Sequence, residues 1–144
     1  MGQKVSDSTR IAAAPDTILD VITDIEAYPQ WAEGVQSAEV LETDTQGRPA
    51  RARFEVDAKV VEVTYTLTYT YTDNRVSWTL VEGEPLNQLD GSYTLAPSGA
   101  ETDVTYELEA DVDIPLPGFM KKRAAKQILD QGLRGLKQRA ESRS

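Results

Sequence analysis

The sequence predicts an α+β fold: a strongly curved antiparallel sheet of about seven strands grips one long C-terminal helix, and two short helices follow the first strand. Three observations carry this. From Val35 to Ile114 apolar and polar residues alternate in segment after segment. From Leu116 to Glu141 the apolar residues instead recur at helical spacing, over about seven turns. Between the first strand and the alternating region, Ile18, Ile22 and Ile25 mark a short amphipathic segment led in by Pro15.

In chain order, Lys4 to Ala13 reads as a strand that Pro15 stops, and Asp16 to Ile25 as the first short helix. Glu26 to Glu33 holds a break at Pro29 and a second short helix bearing Tyr28 and Trp31. Val35 to Glu42 is the next strand, and Asp44 to Pro49 a turn. Arg51 to Ala58 alternates, with Ala52, Phe54, Val56 and Ala58 on one face. At Val60 and Val61 the phase slips, as at a hairpin turn or bulge. Val63, Tyr65, Leu67, Tyr69 and Tyr71 then face one way and a row of threonines the other. Asp73-Asn74 turns into a strand at Val76 to Leu80; a loop from Gly83 to Asn87 leads to Gly91 to Leu95. After a turn at Pro97 to Glu101, Val104 to Ile114 alternates Val104, Tyr106, Leu108, Ala110 and Val112 with a row mostly of acidic residues. One apolar face per strand means a sheet with one wet side, and the long helix is the cover for the dry side.

At 144 residues the chain is read as one domain, residues 1–144. It has no cysteine and no histidine, which removes disulfides, thiol nucleophiles, imidazole bases and the usual zinc ligands. No metal and no cofactor is expected, and no residue is singled out as catalytic. The opening MGQKVSDST lacks the apolar core of a signal peptide and no segment is apolar enough to span a membrane, so a cytoplasmic protein is the expectation.

Net charge is −9, unevenly placed: from Pro117 onward there are eight Lys or Arg against two acidic residues. The plain reading is a basic helix attracted to an acidic body. The sharper one is that Lys121, Lys122 and Arg123, cations in a first helical turn, make a peripheral contact with an anionic membrane or a protein partner. An acidic surface overall argues against nucleic acid.

Ala14-Pro15 with Val21 to Pro29 (VITDIEAYP), and Leu80 to Gly83 (LVEG) with Leu89 to Tyr93 (LDGSY) and Pro97, resemble the START-like, or SRPBCC, superfamily. The similarity is to its polyketide cyclase/dehydrase and coenzyme-Q-binding branch, which includes the RatA ribosome-association toxins. The resemblance implies the helix-grip fold and an apolar cavity between sheet and last helix. It also implies a small hydrophobic ligand there: a lipid, a quinone or a polyketide-like molecule.

On that reading the ligand-binding residues are Trp31, Phe54, Val56, Tyr65, Leu67, Tyr69, Trp78, Leu80, Tyr93, Tyr106 and Leu108, with Phe119, Ile128, Leu129 and Gly132 from the helix. Each aromatic is equally at home in an ordinary core. A row of tyrosines on a dry face is nonetheless costly unless the hydroxyls meet water or ligand. Gly132 in the apolar stripe costs about 1 kcal/mol against Ala, so either the sheet approaches closely there or space is kept for ligand. Asp24, Glu26, Glu82, Glu84 and Asp90 are best read as solvated. Arg53 would reach the cavity only if its strand were inverted, and the 83–89 loop and the Pro115 to Met120 entry are expected gates. Three functions stay open: a non-catalytic carrier, a polyketide aromatase/cyclase-like enzyme, and a RatA-like interaction module that uses the basic helix.

Overall fold

The computed structural model describes residues 3–32, 34–57, 62–84, 86–113 and 115–143, without the side chain of residue 84. The elements are β1 (Gln3–Ile11), α1 (Pro15–Thr23), a 3-10 helix (Ile25–Gln30), β2 (Val35–Thr43), β3 (Pro49–Asp57), β4 (Glu62–Thr72), β5 (Arg75–Glu84), β6 (Leu86–Ser98), β7 (Glu101–Val112) and α2 (Gly118–Arg143). The seven strands form one curved antiparallel sheet in the order β1-β7-β6-β5-β4-β3-β2. The expected fold class is therefore observed, with the second short helix of the 3-10 kind.

Sequential hairpins build everything from β2 to β7, and only β1 crosses over, to lie beside β7. The turns carry the residues that positive backbone angles require: Gly47 (φ 81°), Asn74 (φ 61°) and Gly99 (φ 65°). Asp44 fixes the first of them, its carboxylate accepting from the backbone N–H of Gln46 and of Arg48 at 2.9 Å each. The phase slip at Val60-Val61 lies outside the described residues.

The expected loop from Gly83 to Asn87 is corrected. β5 continues to Glu84 and β6 starts at Leu86, so extended strands occupy all of this stretch except residue 85, which lies outside the described residues. The pattern was obscured by a register shift between β4 and β5, where Thr66 pairs with Glu82 but Leu67 with Leu80. Arg53 lies on the outer face of β3, half-exposed and 3.5 Å from Glu55, which rules out the inverted strand and an inward clamp.

α2 crosses the dry face and lies chiefly along β1. Its buried stripe is Ala125, Leu129, Leu133, Leu136 and Ala140, steps of four, four, three and four. Polar contacts fasten it there: Lys126 Nζ donates to Asp7 (2.9 Å), Lys137 Nζ to the Arg10 carbonyl (2.6 Å), and the Ala12 N–H to Glu141 (2.9 Å). Where α2 ends, α1 brings Ile18, Val21 and Ile22 against the sheet, and this end is solid: Ile11, Ile18, Val104, Leu136 and Ala140 are fully buried. Thr102 is buried with them, its hydroxyl donating to the Ala13 carbonyl at 2.8 Å. The other half of the dry face is less completely filled.

Candidate functional site

Cross-strand pairing assembles an aromatic band over the dry face. Phe54 on β3 faces Tyr65 on β4, Tyr69 faces Trp78 on β5, and Tyr93 on β6 faces Tyr106 on β7. Their ring centroids lie 5.3, 6.1 and 4.6 Å apart respectively. Trp78 ties the second and third pairs together, 5.3 Å from Tyr93 and 5.9 Å from Tyr106. It reaches that position because its own cross-strand partner is Gly91: a Cβ there would stand 2.4 Å from the indole ring.

Above the band a cavity of about 450 Å³ opens under the first half of α2. Its floor is the band with Val56, Leu67, Leu89 and Leu108; Tyr28 and Trp31 form one wall. Ala124, Ala125, Ile128 and Gly132 of α2 form the roof, and Leu116 contributes from the helix entry. Of the expected ligand residues, twelve line this space: Trp31, Phe54, Val56, Tyr65, Leu67, Tyr69, Trp78, Tyr93, Tyr106, Leu108, Ile128 and Gly132.

Three do not. Phe119 is 67% exposed at the start of α2, projecting from the helix rather than roofing the cavity. Leu129 is fully buried in the stripe that α2 packs on the protein core, one step round the helix from Ile128. Leu80 packs against the core beside the register shift and lies close to Gly83. The sequence reading also missed Leu133: taking Gly132 as the stripe's centre hid the step of four from Leu129.

At Gly132 the structure shows the close approach of the sheet. A Cβ there would lie 3.0 Å from Tyr106 Cε2 and 3.9 Å from the Tyr93 hydroxyl, so the sheet does approach closely, and the glycine also lines the cavity. Gly135, three residues on, allows a similarly close approach of Trp31, whose ring and carbonyl would each lie 3.1 Å from a Cβ.

Two of the six tyrosines are satisfied by backbone: the Tyr28 hydroxyl donates to the Ile22 carbonyl and that of Tyr71 to the Pro49 carbonyl. The hydroxyls of Tyr65, Tyr69, Tyr93 and Tyr106 have no protein partner among the described residues, and all four side chains line the cavity. Burial pushes each of these phenols above its ordinary value, and for Tyr65, Tyr69 and Tyr93 neighbouring tyrosines push it further. They stay protonated at neutral pH and act as hydrogen-bond donors, not bases.

The candidate carboxylates stand elsewhere. Asp24 faces Arg143 at 3.7 Å, Glu26 accepts from the Val40 N–H at 3.3 Å, and Asp90 accepts from the Gln88 amide at 2.9 Å. The charged groups on the described lining are Asp57, which is exposed, and Lys121, which is half-buried. No group of metal-binding side chains occurs among the described residues, and no described helix is long and apolar enough to cross a membrane.

A seven-stranded sheet gripping a long helix over an apolar cavity defines a helix-grip, START-like protein. Residues 2–141 match the family described as polyketide cyclase / dehydrase and lipid transport, and the chain belongs to that family. A START superfamily protein from Mycobacterium smegmatis is 27% identical with a TM-score of 0.92, over 99% of this chain and 100% of that one. An aromatase/cyclase from a Streptomyces species superposes with a TM-score of 0.82 at 15% identity, covering 99% and 96% of the two chains. A STAR-related lipid transfer protein from Xanthomonas axonopodis does so with 0.76 at 20% identity, covering 95% and 85%. Searching the curated proteins by sequence gives no match.

Proposed function

We propose that the protein binds and carries a small hydrophobic ligand, of lipid, quinone or polyketide-like character, in the cavity between sheet and α2. The observation behind this is the cavity itself: about 450 Å³, within the size range of small-molecule sites, walled by apolar and aromatic side chains. Polar groups of its lining include the phenols of Tyr65, Tyr93 and Tyr106, held in the protonated state, which orient a ligand without taking a proton from it. This supports a carrier over an enzyme, working in the cytoplasm to shield an insoluble molecule from water. An aromatase/cyclase-like activity is the second reading, favoured by the same tyrosine hydroxyls, with Asp57 the carboxylate on the described lining.

A peripheral partner belongs to the proposal. The basic residues further along α2 are engaged, Lys126 by Asp7 and Asp130 and Lys137 by Glu141, whereas Lys121, Lys122 and Arg123 have no carboxylate partner among the described residues. Phe119, Met120 and Ile128 are exposed beside them. Apolar anchors set among free cations suit an anionic membrane surface, where such a ligand would be collected or delivered. A RatA-like protein partner at the same turn is the competing occupant.

Native mass spectrometry of the purified protein, with solvent extraction of whatever co-purifies, tests the carrier. A stoichiometric lipid, quinone or polyketide is expected. A bare chain mass that persists after incubation with a panel of such compounds would overturn the proposal. For the partner, sedimentation with phosphatidylglycerol vesicles should be lost when Lys121, Lys122 and Arg123 are all changed to Glu; unchanged sedimentation would remove the membrane.

A further inference from the structure

The cavity is bordered by two elements of opposite charge. Asp57 on β3 and Gln127 and Ile128 on α2 are lining residues that are also exposed, so the space opens to solvent at these elements. α2 lies chiefly along β1, whereas β4 and β3 stand fourth and fifth from β1 in the sheet. The two elements therefore approach the opening from opposite sides. On the α2 side are Lys121, Lys122 and Arg123, cations in a first helical turn, where the helix dipole opposes them. They do not serve the helix that carries them. On the other side β3 ends at Asp57 and β4 begins at Glu62, two exposed carboxylates directly opposite each other in register. Lys59, between them in sequence, lies outside the described residues. Like charges opposed across strands repel, and a cation brought by a partner relieves them.

We infer that a second copy of this chain docks on this end about a two-fold axis. Lys121, Lys122 and Arg123 of each copy meet Asp57 and Glu62 of the other, and Phe119 and Met120 of each copy cover the other's opening. A two-fold contact is self-complementary when opposite charges flank the axis, and every pair in it is made twice. Phe119 is 67% exposed and Met120 42%, and their removal from water supplies the apolar part of the association. A flat anionic surface attracts the α2 turn but repels the carboxylates across the opening, whereas a second copy satisfies both sides. The inference goes beyond the carrier and membrane readings and links them. Membrane and second copy compete for the first turn of α2, so the dimer is the closed form, and arrival at an anionic surface parts the copies and uncovers the cavity.

Sedimentation velocity over a range of protein concentrations at low salt tests this. The average mass should rise from 15.9 kDa toward twice that, and the dimer should weaken as salt is added. Glu62→Lys should weaken it roughly tenfold or more, because each exposed pair is lost twice and replaced by repulsion. Phe119→Ser, at an exposed position, should weaken it as well. Exchanging the charges, with Lys121, Lys122 and Arg123→Glu combined with Asp57→Lys and Glu62→Lys, should restore the dimer in a chain that no longer sediments with phosphatidylglycerol vesicles. A monomer at every concentration overturns the inference and, if vesicles are still bound, leaves the membrane as the occupant of the α2 turn. A dimer indifferent to both Glu62→Lys and Phe119→Ser overturns it too, since the contact then lies elsewhere. An exchanged chain that is folded by circular dichroism yet stays monomeric does the same.

Discussion

Replacing Gly132 by Leu tests whether the site is a space or a packing contact. The first added carbon would meet Tyr106 Cε2 at 3.0 Å, a few tenths of an ångström too close, and the Tyr93 hydroxyl at 3.9 Å. Tyr106 borders the cavity, so its ring can tilt into empty space rather than push the sheet away. Removing glycine from a helix interior gains about 1 kcal/mol, and four newly buried carbons gain up to about 3 kcal/mol. Overpacking opposes this by about 1–3 kcal/mol. The terms leave stability unchanged or raised by about 1–2 kcal/mol, while the Leu side chain and the tilted ring occupy the ligand's inner end. Thermal melting by circular dichroism should show an unaltered or higher midpoint, and the ligand mass seen by native spectrometry should vanish. A clearly lowered midpoint with ligand retained would refute the reasoning, because Gly132 would then serve the helix-sheet contact and not the cavity.

Other outcomes follow from the same geometry. Gly91→Ala should destabilise by about 1–3 kcal/mol in urea titration, because its Cβ would lie 2.4 Å from a Trp78 ring that is itself buried and hemmed in by Tyr69, Tyr93 and Tyr106. An unchanged midpoint would mean that Trp78 is not seated on that glycine. Leu129→Ala should cost about 2–5 kcal/mol of stability yet leave ligand affinity alone in a folded sample, since Leu129 is 0% exposed and outside the cavity lining. Tyr65, Tyr69, Tyr93 and Tyr106 have folded pKa values raised above the free value of 10.0. Their contribution to stability is therefore complete below pH 10 and is lost as pH rises through the folded values. Tyrosinate absorbance should stay low through pH 10 and rise together with loss of the near-ultraviolet dichroism; ionisation near pH 10 in a still-folded protein would contradict their burial.

Strand faces were legible because alternation is a local property: Tyr65 and Tyr69 had to share a side, and Tyr93 and Tyr106 had to point toward whatever covered the sheet. Which rings would meet was not legible, since the pairing of Trp78 with Gly91 depends on register across a hairpin. On α2, helical spacing identified an apolar stripe but not where the partner surface stops. Phe119 belongs to that stripe by spacing and is solvent-exposed, because α2 begins there beyond the part that packs on β1 and β7. Ile128 and Leu129, adjacent in sequence, divide between cavity and core for a similar reason: the helix rests on its edge against β1, with one flank over a space. The resemblance implied a cavity; four hydroxyls without protein partners among the described residues add to its polar character, which only the assembled sheet reveals.

The placement of β1 between β7 and α2 bears on how the chain reaches this state. Arg10 pairs with Asp103 across 93 residues, and the Ala12 N–H meets Glu141 across 129. Consecutive hairpins can assemble β2 to β7 from neighbours, but closing the sheet at β1 and covering it with α2 joins segments from opposite ends of the described chain. Such distant contacts place folding toward the slow end for a domain of this size, roughly milliseconds to seconds. Until α2 docks, the whole aromatic band faces water. A ligand present at that moment could be enclosed as the helix closes over it, so that loading would accompany maturation of the protein instead of following it.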